Sequence, residues 1–270
     1  MLAKTPLPAE YTAWNSRWGA PGGRRVERPL MVGHRLRDPD PARYGPFGFQ
    51  HVSETRRFEY PWAYFCAAAV PGMRILDVGG GLGGLQFVLS MEGAEVVNVD
   101  PAARHDGRWS LGQGSAAHLL TEDDHAALNE LFDTKVLLIP RAVQDCGLAS
   151  GSFERAVCLS VLEHLELDEA RAVLAAIREL LAPGGLCLLT VDVFLDVRPF
   201  GLRPANFWGT NHDMRALLDG LGFHLVQADP RELLGFPEFD PGDIIARLPS
   251  LFVSPISPCM SQAVILRRLR

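Results

Sequence analysis

The feature that most restricts what this chain can fold into is Ile75-Leu76-Asp77-Val78 running directly into Gly79-Gly80-Gly81-Leu82-Gly83-Gly84. A mostly apolar helical stretch over 85–92 follows and is closed by Gly93. That order reads as a short buried strand, a tight turn and a helix. Glycine lacks a Cβ, so the backbone can bend sharply and a ligand can approach it closely. The first N–H groups of the following helix have no intrahelical acceptor and face the same space. In an open parallel sheet, ligands bind beyond the carboxyl ends of the strands, where this loop lies. A plain turn does not need so many glycines, so the loop is read as a ligand site.

The chain around it supplies the sheet. Residues 94–100, 135–139, 155–161 and 186–193 read as further strands, and helices are expected at 121–132 and 168–181. In the latter, Ala170, Val173, Leu174, Ile177, Leu180 and Leu181 recur with the helical period. Strands alternating with helices imply right-handed crossovers and a parallel sheet covered on both faces. Residues 224–228 and 263–269 add two more strands. The expected fold class is therefore α/β, a doubly wound, mostly parallel, seven-stranded sheet. Residues 1–50 differ: rich in Pro, Gly and Arg with scattered aromatics, they cannot form a core alone, and the first 20 are expected to be the least ordered. A helix over 54–69, interrupted at Pro61, follows. The domain reading is an N-terminal extension and lid helix over 1–72 and a main domain over 73–270. Loop-rich insertions are placed at 194–211 and 231–258.

Composition sets bounds on partners. With 270 residues, 47% of them apolar and 21% charged, the chain suits one soluble α/β unit with additions. The net charge of −6 argues against nucleic acid, and the basic end Arg267-Arg268-Leu269-Arg270 is read as a solvated edge. No apolar run approaches the roughly 18 residues of a membrane span, and no apolar leader is visible. The five cysteines are odd in number and never spaced Cys-x-x-Cys, so no zinc site or disulfide framework is read. A metal is not expected, the cytoplasm is the expected location, and Cys158 and Cys187 are expected as buried hydrophobes. A homodimer is left open.

The ligand is narrowed by two acids. Gly79-x-Gly81-x-x-Gly84, with Asp100 ending the next strand, formally fits a dinucleotide pattern, which is weak by itself. Asp77, two residues before the first glycine, would repel a pyrophosphate but suits a cation or ammonium. Asp100 as a carboxylate can accept from both hydroxyls of a ribose. Together they favour a ribosylated, positively charged ligand.

At these residues a resemblance emerges. Ile75-Leu76-Asp77-Val78-Gly79-Gly80-Gly81-Leu82-Gly83 resembles the first motif of class I S-adenosylmethionine-dependent methyltransferases. Gly151-Ser152-Phe153-Glu154 resembles the family's lead into its fourth strand. Ser160-Val161-Leu162-Glu163-His164-Leu165 resembles the strand end that follows, and Leu181-Ala182-Pro183-Gly184-Gly185 the turn before the fifth strand. The set is most similar to the small-molecule subgroup that includes quinone-type methyltransferases and covers about residues 73–193. The resemblance implies S-adenosyl-L-methionine as cofactor. Asp77, Gly79, Gly80, Gly81 and Gly83 would line its amino-acid and ribose portion, Asp100 its ribose diol and Pro101 its adenine. Ala142 and Val143 fall where the family usually has an acid and a small residue for the adenine, so the acid is missing, with Asp145 nearby. Ser160 would turn its carbonyl towards the ammonium, with Val161 beside it and His164 near the methyl-transfer pocket.

For the transfer itself the sulfonium is already electrophilic, so alignment of the nucleophile dominates, with a base useful for a hydroxyl or protonated amine. The candidates are His164 as base or cofactor contact, His212 as base or helix-cap neighbour, and Asp192 as holder of a substrate amine. Glu163 is expected as a hydrogen-bonded strand-end carboxylate. Arg56 and Arg57 are either partners of the cofactor carboxylate or solvated charges. Aromatics of the extension and of the 194–211 loop are expected as an acceptor lid or as packing for the additions. Neither Asn-Pro-Pro-Tyr nor Asp-Pro-Pro-Tyr occurs, no Pro-Cys nucleophile follows the fourth strand, and no catechol-type acid cluster is seen. The leading expectation is methyl transfer to O or N of a small molecule in biosynthesis of a specialised metabolite. A nicotinamide-dependent oxidoreductase and a non-catalytic scaffold are the alternatives.

Overall fold

A computed structural model describes residues 1–24, 35–101, 122–255 and 258–269. Seven strands form one sheet: β1 (Arg74–Val78), β2 (Glu95–Val99), β3 (Leu137–Ile139), β4 (Phe153–Leu159), β5 (Leu181–Phe194), β6 (Phe223–Gln227) and β7 (Cys259–Arg268). Their spatial order is β3-β2-β1-β4-β5-β7-β6. Strands β1 to β5 pair in parallel, and β7 runs antiparallel to both β5 and β6. The strand order reverses at β1, whose neighbours are β2 and β4, and this opens a crevice at its carboxyl end.

Alternation along β1 sends Ile75 to one core and Leu76 and Val78 to the other. On the second of these faces lie α5 (Leu167–Leu180) and α6 (Met214–Leu218). Helix α5 buries Ala170, Val173, Leu174, Ile177 and Leu180, and its start is closed by reciprocal bonds of Glu166 and Glu169. The expected turn at Ala182-Pro183-Gly184-Gly185 lies inside β5, because Leu181 already pairs with Phe153 before the register shifts at Arg155. The opposite face carries α2 (Arg56–Ala67), α3 (Gly84–Met91) and α4 (Glu122–Phe132). Pro61 sits within α2 rather than ending it.

The described residues of the extension are more ordered than its composition predicts. Leu2 bridges to Gln262 of β7, and the Ala3 amide donates to Ser261. Helix α1 (Ala9–Trp18) then packs on α2. The reason is burial of aromatics: Trp14, Tyr44, Phe47, Phe49, Phe58, Tyr60 and Trp62 join Phe87 and Val88 in one cluster. These rings therefore hold the extension to the sheet. Tyr64 is half-buried and donates to Glu92. The 231–258 insertion contains a further helix, α7 (Pro241–Arg247). Cys158 and Cys187 are buried, and burial pushes the Cys187 thiol up to about 12. The expected connection between β2 and α4 lies largely outside the described residues. Among the described residues, no helix is long and apolar enough to cross a membrane.

Candidate active site

The glycine loop between β1 and α3 is held in shape by a polar scaffold beneath it. Gly79 and Gly81 have φ of +71° and +54°, a region that side chains with a Cβ adopt only at a cost. A Cβ on Gly79 would stand 2.6 Å from Val161 Cγ2, and one on Gly81 would stand 2.6 Å from Gln50 Oε1. Gln86, fully buried on α3, donates to the carbonyls of Gly81 and Gly83, both at 3.0 Å. Its own oxygen accepts from Asn98 of β2 at 2.9 Å and faces His125 of α4 at 3.0 Å. Asn98 also donates to the Gly81 carbonyl at 2.8 Å. Burial lowers the His125 pKa to about 4, so the ring is neutral and serves as a donor to Gln86. Gly84 abuts Phe47, which makes it a packing glycine.

Asp77 and Asp100 flank this loop. Asp77 lies against Gly80 and is only 7% exposed. Burial, and then the neighbouring charge of Asp100, raise its pKa to about 7. Asp100 accepts from the Gly81 amide at 2.8 Å. Two buried carboxyl groups side by side, with Asp77 raised by the second, suit a ligand that carries positive charge. Gln50 Oε1, buried without a hydrogen-bond partner beside Gly81, adds an acceptor facing the same loop. Pro101 follows directly and is half-buried. Val143 is buried in the core at the start of a short turn, Ala142 is half-buried, and Asp145 is exposed.

A second group lies past the ends of β4 and β5. Ser160 has φ +46°, unusual for a residue with a side chain, and its amide donates to Thr190 of β5 at 3.0 Å. Its hydroxyl donates to Glu59 Oε1 at 2.9 Å and accepts from Arg56 Nη1 at 2.5 Å. Arg56 also pairs with Glu59 Oε2 at 2.5 Å. Arg57 instead pairs with Glu54 on the outer surface. Glu163 and Asp192 complete the group. Neither Glu163 oxygen accepts from another residue, and Asp192 Oδ1 has no partner, although both residues are buried. Burial raises both pKa values, opposed for Glu163 by His164 and Arg56; the charges of Glu59 and Glu163 push Asp192 further up.

The two histidines part company. His212 is buried, and its Nε2–H is directed at the carbonyls of Leu162 at 2.9 Å and Leu165 at 3.0 Å. That proton holds the turn after β4, which speaks for support rather than a base at this position. His164 is exposed at the rim, and its Nδ1–H donates to the Trp208 carbonyl of the 194–211 loop. His51 is exposed as well. Within that loop Phe194 is buried, whereas Phe207 and Trp208 stack edge-on and are 61% and 45% exposed. Gln86, Gln50 and Glu59 were not singled out in the sequence. A lone Gln in the apolar helix after the glycines, and an acid one helical turn after Arg56, were the signals available.

A family model described as a methyltransferase domain matches residues 55–228. The chain belongs to the class I S-adenosylmethionine-dependent methyltransferases. Two curated relatives are ubiquinone biosynthesis O-methyltransferases. That of Psychrobacter arcticus is 31% identical over 44% of this chain and 40% of its own length. That of Xanthomonas campestris pv. campestris is 30% identical over 54% of this chain and 53% of its own length. The chain thus spans about half the length of these relatives, or less. Among solved structures, 1,6-didemethyltoxoflavin-N1-methyltransferase of Burkholderia thailandensis aligns with a TM-score of 0.52 at 18% identity, covering 100% of this chain and 95% of that one. The YcgJ protein of Bacillus subtilis aligns with a TM-score of 0.51 at 12% identity, over 79% and 99%. At these identities the likeness concerns the fold. The cofactor of this methyltransferase domain is S-adenosyl-L-methionine, and the open glycine loop with its two buried carboxyl groups fits a ribosylated cation.

Proposed function

We propose that the protein transfers a methyl group to an oxygen or nitrogen atom of a small-molecule acceptor, in the biosynthesis of a specialised metabolite. The observation that carries this reading is the buried Asp77–Asp100 pair on a glycine loop built for close approach. When bound, S-adenosyl-L-methionine supplies a methyl group on a sulfonium, which needs no further activation. Asp77 would hold the ammonium, Asp100 the ribose hydroxyls, and Gly79, Gly80, Gly81 and Gly83 would give the backbone room. Ser160 and Val161 would border the amino-acid end; Pro101, Ala142 and Val143 would border the adenine through backbone and apolar contact.

The acceptor would lie beside Ser160, where Asp192 would hold it and take a proton from it. His164 would act at the rim, latching the 194–211 loop through Trp208. The chain's negative charge and free cysteines support a small molecule as the partner and the cytoplasm as the place of work. Oxygen transfer has the names of the curated relatives on its side. Family membership sets aside the nicotinamide alternative.

Calorimetric titration with S-adenosylhomocysteine, beside NAD, tests the reading. Micromolar binding of the former, weakened in Asp77→Ala and Asp100→Ala, is the expected outcome. Binding of NAD alone would overturn it. Turnover of any acceptor separates the enzyme from a scaffold that only binds.

A further inference from the structure

The cluster past β4 and β5 has a charge problem that its own residues leave unsolved. Three carboxyl groups, Glu59, Glu163 and Asp192, come together with the guanidinium of Arg56 and the hydroxyl of Ser160, with His164 next to Glu163. Their side chains are drawn from α2, the turn after β4 and the end of β5. Glu59 accepts from Arg56 and Ser160, so Arg56 is engaged, and Glu59 also lies within hydrogen-bonding reach of Asp192. Glu163, at 1% exposure, and Oδ1 of Asp192, at 6%, are left as acceptors without donors. Carboxylates out of water and without hydrogen-bond donors are strongly disfavoured, and Arg56, already paired with Glu59, offsets them only in part. What satisfies them is a group with several N–H donors and a positive charge. A phenolate, thiolate or carboxylate acceptor would instead bring a further negative charge into the same space.

Building on the methyltransferase reading above, we propose that the methyl acceptor is a basic amine, seated with its nitrogen between Glu163 and Asp192. The upward displacement of both carboxyl pKa values agrees with a site that waits for a cation. On entering as an ammonium the amine displaces to solvent the proton that burial keeps on Asp192, and then gives one of its own protons to that carboxylate, which bares its lone pair. That lone pair forms the N–CH3 bond while the S–CH3 bond breaks, with its electron pair remaining on sulfur. The products are a neutral thioether and an N-methylammonium, whose charge Glu163 continues to balance. Thr210, whose amide donates to the Glu163 carbonyl at 3.0 Å, ties the 194–211 loop to this residue and so places the loop beside the acceptor.

The test uses the full chain with methyl-labelled S-adenosylmethionine and three probes: tyramine, phenethylamine and 2-phenylethanol. Label on the nitrogen of tyramine is expected, with phenethylamine accepted and 2-phenylethanol refused. Glu163→Gln and Asp192→Asn are each expected to lower kcat/KM for phenethylamine by about 30-fold or more, the loss of a charged hydrogen bond. Their S-adenosylhomocysteine affinity, measured by calorimetry, is expected to be unchanged, which also shows that they fold. Methylation of the tyramine oxygen, acceptance of 2-phenylethanol, variants with undiminished turnover, or no amine bound or methylated by a protein that binds S-adenosylhomocysteine would each overturn the amine assignment. Failure of the wild-type chain to bind S-adenosylhomocysteine would strike the methyltransferase reading itself.

Discussion

The glycine loop after β1 and the acid cluster past β4 and β5 lie at neighbouring strand ends of one sheet, yet they are made from different materials. The loop is backbone: its shape comes from Gly79 and Gly81 at positive φ and from carbonyls held by Gln86 and Asn98. The cluster is side chain: charged groups converge from three elements, one of them in the N-terminal extension. A backbone site tolerates few changes at its glycines, because a Cβ has no conformation to escape into. A side-chain site can be retuned one residue at a time, and its specificity resides in charge balance.

This contrast can be broken first at the loop. Gly79→Ala puts a Cβ against Val161 at φ +71°. Strain at the upper end of about 1–3 kcal/mol predicts a loss of about 100-fold in S-adenosylhomocysteine affinity by calorimetry. An affinity near wild type would show that the loop is looser than its geometry.

Asp77→Asn comes next and separates binding from stability. At about pH 8 the wild-type carboxyl is ionised and favours a cation, so the variant is expected to lose about 30-fold in affinity there, and much less at about pH 6. For the wild type, affinity rises as pH climbs through about 7, with a proton released on binding. The stability sign is the reverse. A carboxyl whose folded pKa is raised binds its proton more tightly when folded, so stability falls as pH rises from about 4 to about 7. The ligand-free variant should therefore have a higher Tm than wild type at about pH 8, read by differential scanning calorimetry.

Gln86→Leu sharpens the claim that the loop rests on its scaffold. The Gly83 carbonyl loses its side-chain donor, the Gly81 carbonyl keeps only Asn98, and the acceptor of Asn98 and His125 disappears. A cost of about 2 kcal/mol predicts a drop in Tm of roughly 4–8 °C. Cofactor affinity should fall about tenfold with it. The smallest effect belongs to the rim. Phe207→Ala removes an exposed ring, and its stability is expected to stay within about 0.5 kcal/mol of wild type. A larger change would mean that the 194–211 loop is a core element.

Strand β1, its glycines and the α5 periodicity could be read directly because each is a local pattern: consecutive apolar residues, absent Cβ atoms, an apolar repeat. Asp77 and Asp100 stood out for the same reason, since both follow from position relative to a strand end. The 1–50 segment was harder. Its aromatics lack periodicity, and only packing against Phe87 and Val88 shows that they are a core component. His212 illustrates the limit for chemistry, because a His beside a helix start reads equally as base or support until the Leu162 and Leu165 carbonyls are seen on its Nε2.

The amino-acid sequence alone determined the parallel sheet, the position of the ligand loop, and the family through motifs whose members lie close together in the chain. Tertiary structure alone decided which distant groups meet: Gln86 with Asn98 and His125, and Arg56 and Glu59 with Ser160 and Asp192, the Arg56–Ser160 bond spanning 104 positions. The physical reason is range. Backbone geometry and apolar periodicity are set by neighbours along the chain. The charge and hydrogen-bond balance of a buried site is set by whatever the fold brings within about 3 Å.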